Sequence, residues 1–283
     1  MFWWISYWIL FFGWYIVCDI KNIQQIQEKI LTRYEQNGRD LPWRHTQDPY
    51  AIHISEVMSQ QTQVDRVIPY RKKWMKNIPD YQALARLSKG ELLSYWSGLG
   101  FNSRALRLQE CARVVVDSFG WDLPRKKSEL LSLPWIGPYT AGAICAFAYN
   151  QEEVVIDTNI RRVLIFLLKL DEEVSIKELE HIAQQMIPCW RSRDWHNALM
   201  DYGAVHLTAR KTKIKSLGKQ SKFEGSDRQV RGRILKQLTK GEIKILTFDC
   251  VCAEFPQKDV GQIVEGMVKD GLVTVQGEVI VIE

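Results

Sequence analysis

The chain is short of the residues that build metal centres. Six cysteines are scattered at Cys18, Cys111, Cys145, Cys189, Cys250 and Cys252, and only the last two are close together. No zinc or iron–sulfur ligand spacing occurs among them, so a cysteine-held metal is excluded as an organising element. Cys111 and Cys145 lie in apolar helical stretches and read as buried thiols, which suits a reducing cytoplasm. Acidic residues are missing from 205–223, VHLTARKTKIKSLGKQSKF, where six Lys/Arg surround four isolated large hydrophobes: Leu207, Ile214, Leu217 and Phe223. Charge of either sign is missing from residues 1–18, MFWWISYWILFFGWYIVC. That run lacks the basic start and the cleavage site of a secretory signal, and it falls short of the roughly 20 apolar residues of a spanning helix. The leading expectation is a translated stretch ahead of the true start, with a membrane anchor as runner-up. The expected location is the cytoplasm.

What remains is an ordinary folded composition over 283 residues, with a formal net charge of +5. That excess alone does not establish a nucleic-acid partner, but its distribution is uneven. Eleven Lys/Arg stand between residues 204 and 240 against Glu224 and Asp227. Helical periodicity marks segments at Ile20–Gly38, Tyr50–Gln61, Val64–Asn77, Tyr81–Arg86, Ser88–Ser97 and Ser103–Ser118, and others follow near Thr158–Lys169, Ile176–Met186 and Trp195–Tyr202. This is an all-α body from about residue 20 to 205. In the tail, SDRQVRGRILKQL and QKDVGQIVEGMVKD read as helices, and GLVTVQGEVIVIE as two strands turned at Gln276-Gly277. Helices ending in a hairpin suggest a small winged-helix module.

Three segments carry residues suited to chemistry. LPWIGPYTAGA, Leu133–Ala143, is a helix, a tight turn with Gly137 and a new helix, whose free N–H groups suit a phosphate. SEVMSQQTQV, Ser55–Val64, carries Glu56 among Ile54, Val57 and Met58. VIDTNIRRV places Asp157 just ahead of a helix, where an N-cap role would suffice. Taken singly, each has a plain structural explanation.

Taken together, with LPWR, WSGLGFNSRA and NALMDYGA in the same order, residues from about Ile23 to Gly203 resemble a MutY-type A/G-specific adenine DNA glycosylase of the helix-hairpin-helix superfamily. The resemblance implies a mainly α, two-lobed body over 19–224: a barrel lobe at about 49–150, and a second lobe from 19–48 plus 151–224. The winged-helix-like module then covers 225–283. It implies base-excision repair on double-stranded DNA bearing A opposite 8-oxoguanine or G, by a monomer that turns the adenine out of the stack into a pocket in the cleft. Glu56 falls at the family's acid position and is expected to hold its proton, aided by apolar packing, to protonate adenine N7. Asp157 is expected to stay ionised at its helix N-terminus near Arg161 and Arg162, and to stabilise an oxocarbenium-like sugar. Asn159 supports Asp157, Arg44 lines the pocket, and Gln61 and Phe101 enter the base stack. Gly137 belongs to the DNA-binding hairpin. Tyr139 stands where related lyases carry a Schiff-base lysine, so base removal without efficient strand cleavage is expected.

The chain departs from the pattern in four places. Trp135 replaces a hairpin glycine, which predicts an altered phosphate geometry. Ser59 replaces a leucine, and residues 222–283 are too short for the larger C-terminal domain that helps relatives recognise 8-oxoguanine. The four cluster cysteines of relatives fall on Leu207, Ile214, Leu217 and Phe223, so no cofactor is expected. Burial of those four side chains is expected to close the loop instead, with Arg210, Lys211, Lys213, Lys215, Lys219 and Lys222 facing phosphates. Two other readings remain: a thymine/uracil mismatch glycosylase of the same fold, against which Glu56 argues, and a non-catalytic DNA-binding protein, which needs neither carboxylate.

Overall fold

The computed structural model describes residues 22–215, 222–240 and 245–282. The N-terminal run 1–18, Leu217 and Lys219 lie outside them. No helix among the described residues is long and apolar enough to cross a membrane.

The first helix, α1, spans residues 22–37. Next come α2 (Pro49–Ser59), α3 (Val64–Asn77), α4 (Tyr81–Arg86), α5 (Lys89–Trp96), α6 (Ser103–Ser118), α7 (Lys127–Leu130) and α8 (Pro138–Tyr149). They are followed by α9 (Thr158–Leu168), α10 (Ile176–Gln185), α11 (Ser192–Asp201), a π-helical turn at Tyr202–His206, and α12 (Ala209–Thr212). The tail comprises α13 (Asp227–Lys240), β1 (Ile245–Thr247), α14 (Phe248–Glu254), α15 (Val260–Lys269), β2 (Thr274–Gln276) and β3 (Val279–Val281).

Two compact units share these elements. One holds, of the described residues, 41–144, 222–240 and 245–282. Within it α6 packs on α2, α4 and α5, and Trp74, Trp96, Leu84, Leu92 and Leu108 are buried. Asp80 caps α4, and Ser88 with Glu91 forms a reciprocal capping box on α5, an arrangement that satisfies helix-end N–H groups without solvent. The tail belongs to this unit through α13, which packs on α5. Its three-stranded antiparallel sheet has the order β1-β3-β2, with Leu246 and Val275 both opposite Ile280, and the element order is that of a winged helix. The β1–α14 step was absent from the sequence reading. Three of the tail's basic side chains are matched within it: Arg231 pairs with Asp270, Arg233 with Glu254 and Lys258 with Asp227.

The other unit holds, of the described residues, 22–40 and 145–215. Its core joins Ile30 and Leu31 of α1 to Val163 and Leu164 of α9, Leu179 of α10, and Trp195 and Leu199 of α11. Each such fully buried side chain contributes about 1.5–3 kcal/mol. Residues 152–157 form no strand and lead directly into α9.

Candidate active site

Glu56 lies past the middle of α2, beyond the reach of the helix-dipole role that a carboxylate near a helix start would have. Asp48 starts the helix by accepting from the Tyr50 and Ala51 N–H groups, and Pro49 occupies its first turn. Every residue from Tyr50 to Met58 is buried, which leaves Glu56 only 8% exposed between Ile54 and Met58. Tyr139, in the first turn of α8, donates its hydroxyl to Glu56 Oε2 at 2.8 Å. A buried carboxyl beside a phenol can exchange a proton with a base placed against it, and burial keeps competing water away.

In the same unit two exposed residues take left-handed backbone: Gln61 at φ 54° and Phe101 at φ 46°. Such conformations cost energy and persist where neighbours enforce them. The enforcing group is Arg104, which the sequence reading missed. Its guanidinium donates to the carbonyls of Val57, Gln60 and Gly100 at 2.6, 2.7 and 2.9 Å, and also reaches the Thr62 hydroxyl at 3.2 Å. The same group lies over the Trp96 and Phe101 rings, 5.1 and 5.7 Å from their centroids. Burial lowers its pKa to about 10. One buried cation thus fastens both loops that carry Gln61 and Phe101. Arg44 ends a 3₁₀ turn, Pro42–Arg44, and is half-buried.

In the other unit, Asp157 is indeed the N-cap of α9: its Oδ1 accepts the Ile160 N–H at 2.7 Å. Asn159 Nδ2 donates to Asp157 Oδ2 at 2.9 Å, and Arg162 Nη1 donates to Asn159 Oδ1 at 3.2 Å. Arg161 turns elsewhere and donates to the Glu172 carbonyl at 2.5 Å, so of the two arginines expected near Asp157 it is Arg162 whose charge acts on it. A second missed residue is Gly203 in the π-helical turn, where an added Cβ would stand 2.7 Å from Asn159 Cβ and 2.8 Å from its carbonyl oxygen. Glycine is required there for Asn159 to approach. Burial raises the Asp157 pKa above the ordinary carboxylate value, outweighing the Ile160 and Asn159 donors and the Arg162 charge, which pull it down. The helix N-terminus pulls in the direction expected of it, and desolvation pulls more strongly the other way.

The turn between α7 and α8 inverts the usual use of glycine. Trp135 holds the left-handed position, φ 66°, while Gly137 does not, and a Cβ on Gly137 would meet nothing within 4 Å. The turn therefore keeps a left-handed residue despite the bulky ring. Left-handed backbone costs an L-residue about 1–2 kcal/mol. Arg107 lies 4.4 Å from the Trp135 ring centroid, and an exposed cation–π contact returns only about 0.5–1 kcal/mol.

The iron–sulfur positions offer no thiolate. Ile214 is buried, and Leu207 packs on the core of its unit, but Phe223 is 58% exposed, so four-way burial does not occur. Hydrocarbon side chains have no donor for iron, and no group of three or more metal-binding side chains exists among the described residues. Arg210, Lys211 and Lys213 are exposed on and just after α12, and the α9 guanidinium of Arg162 reaches the Leu207 carbonyl at 3.4 Å.

Residues 54–189 match the model of the HhH-GPD superfamily base excision DNA repair proteins. The adenine DNA glycosylase of Mycolicibacterium smegmatis is 34% identical over 269 residues, 87% of this chain and 91% of that one. The adenine DNA glycosylase of Mus musculus is 36% identical over 233 residues, 78% of this chain but 45% of its own length. The chain thus spans less than half the length of the mammalian relatives it matches. A solved thermostable thymine-DNA glycosylase superposes with a TM-score of 0.63 at 30% identity, covering 68% of this chain and 90% of that one. The chain belongs to the HhH-GPD superfamily of base excision DNA repair proteins, and within it to the family of the adenine DNA glycosylases.

Proposed function

We propose that the protein is a monofunctional adenine DNA glycosylase that removes adenine mispaired with 8-oxoguanine or guanine, working as a cytoplasmic monomer on duplex DNA. The observation that carries this reading is Glu56, buried on α2 with the Tyr139 hydroxyl 2.8 Å from Oε2. A pyrimidine leaves as a stabilised anion, whereas adenine leaves well only after N7 gains a proton, and Glu56 supplies that proton. The bond between C1′ and N9 then breaks, and the electron pair goes to the neutral base. Asp157, held by Ile160 and Asn159, faces the positive charge that develops on the sugar. Water completes the hydrolysis by adding to C1′ and releasing a proton. Gln61 and Phe101, fixed by Arg104, occupy the gap left in the stack, and Arg44 lines the base pocket.

Tyr139 carries no amine, so no Schiff base forms and strand scission is not coupled to base release. Arg210, Lys211 and Lys213 contact phosphates, with Gly137 giving the backbone room at the hairpin. The protein needs no iron–sulfur cluster, a reading supported by the hydrocarbon side chains at the four ligand positions. Iron analysis and absorbance near 400 nm are expected to be blank, and a stoichiometric cluster would refute this part.

The likeness to a thymine-DNA glycosylase makes pyrimidine release the second reading. A single-turnover assay on duplexes bearing A opposite 8-oxoguanine, A opposite G, T opposite G and U opposite G separates the two. Release of adenine is expected, and release of pyrimidines alone would reject the adenine reading.

A further inference from the structure

We propose that the α7–α8 turn carries an aromatic DNA contact of its own, in which Trp135 lies against the deoxyribose backbone of the duplex and Arg107, stacked on its ring, pairs with an adjacent phosphate. This rests on the DNA-binding reading above and adds two residues to it. Three observations converge on the turn. Trp135 occupies the one left-handed position of the turn, φ 66°, where its Cβ is disfavoured, yet it remains 55% exposed. An indole placed there for packing would be covered; this one is presented outward. Its orientation is nevertheless fixed, because Nε1 donates to Glu110 Oε2 at 2.5 Å and the Arg107 guanidinium lies 4.4 Å from the ring centroid. Two residues later, Gly137 leaves open a space that no internal contact requires, since a Cβ there would meet nothing within 4 Å.

The strained position therefore bears the largest side chain and the unstrained one bears none. The contacts with Glu110 and Arg107 fix the indole without covering it, and an external surface accounts for both choices: the backbone at Gly137 comes close to it while the indole lies alongside. The partner has to offer a flat apolar edge next to an anion. A deoxyribose flanked by phosphates does so: the sugar edge meets the indole, and the phosphate meets the Arg107 guanidinium on the ring. Because sugar and phosphate are the same at every step, the contact strengthens binding without reading sequence.

The test measures duplex affinity of the full chain by fluorescence anisotropy across a salt series, for the wild type, Trp135→Gly and Arg107→Ala. Glycine suits the left-handed backbone, so Trp135→Gly is expected to keep or raise the thermal midpoint while losing about tenfold in affinity, near the low end for one aromatic contact with nucleic acid. Its salt slope is expected to stay at the wild-type value. Arg107→Ala is expected to lower that slope by about one, the loss of one phosphate contact. Wild-type affinity in Trp135→Gly, with a lowered midpoint, would overturn the proposal by reducing Trp135 to local glue on α6. A wild type that fails to bind duplex DNA would instead overturn the DNA reading beneath it, and this proposal with it.

Discussion

The surroundings of Glu56 and Asp157 are built on opposite plans. Glu56 stands past the middle of α2 among Ile54, Val57 and Met58 and faces a phenol. Asp157 stands at the very start of α9, gathered by a backbone N–H and an amide that a guanidinium orients in turn. Burial favours the neutral form of a carboxyl, and N–H donors around a carboxylate favour the anion; the proposed mechanism asks Glu56 for the first and Asp157 for the second. The separation is incomplete, because burial still lifts the Asp157 pKa above the ordinary value. Holding that residue charged therefore costs stability.

The sharpest way to break this comparison is to make each carboxyl an amide. Glu56→Gln is expected to slow single-turnover adenine release by roughly 10²–10⁴-fold, as removal of a positioned general acid does. Near-wild-type release would end its role as acid. Asp157→Asn is expected to cost about 10²–10³-fold, and to raise stability at neutral pH. The sign follows from the raised pKa. Below the unfolded value both states hold the proton, and as pH rises the unfolded chain releases it first. Stability is lost through that window and stays lost above the folded value. An amide that still caps α9 escapes the loss, so its advantage in denaturation midpoint should be largest at neutral pH and shrink towards pH 4. A lower midpoint at pH 7 would show that the charge stabilises the fold.

Arg104→Lys probes whether the Glu56 unit also depends on a backbone frame. A lysine cannot reproduce the fork to the Val57, Gln60 and Gly100 carbonyls, and about 2 kcal/mol of stability should go with it. Hydrogen exchange should quicken at residues 60–62 and 99–101 in particular, and uniform quickening would contradict the local role. The smallest effect is expected from Tyr139→Phe, which removes one hydrogen bond, about 1 kcal/mol, and slows release less than tenfold. Neither this variant nor the wild type should form a borohydride-trappable adduct with DNA; a trapped adduct would revive a lyase mechanism.

Much of this was legible in the chain. Helices α3, α4 and α6 fall where their periodicity puts them, and both carboxylates stand in the segments that carry the family resemblance. Other features depend on contacts distant in sequence. Arg104, within NSRALRLQ, reads as the polar face of an amphipathic helix, and only the folded chain brings it to carbonyls more than 40 residues earlier. Gly203 looks like a helix end until Asn159 is seen against it. Phe223 was expected to be buried with Leu207 and Ile214, but an apolar residue at a ligand position carries no guarantee of burial. Trp135 was visible as a departure, whereas its left-handed backbone was not.

The division of labour is tested most directly on a duplex carrying 7-deaza-2′-deoxyadenosine opposite 8-oxoguanine. That base keeps the shape of adenine but has no N7 to protonate. If Glu56 works by protonating N7, the wild-type protein will bind this duplex about as well as the adenine duplex and release no base from it under single-turnover conditions. Release at a rate comparable to that of adenine would contradict the account.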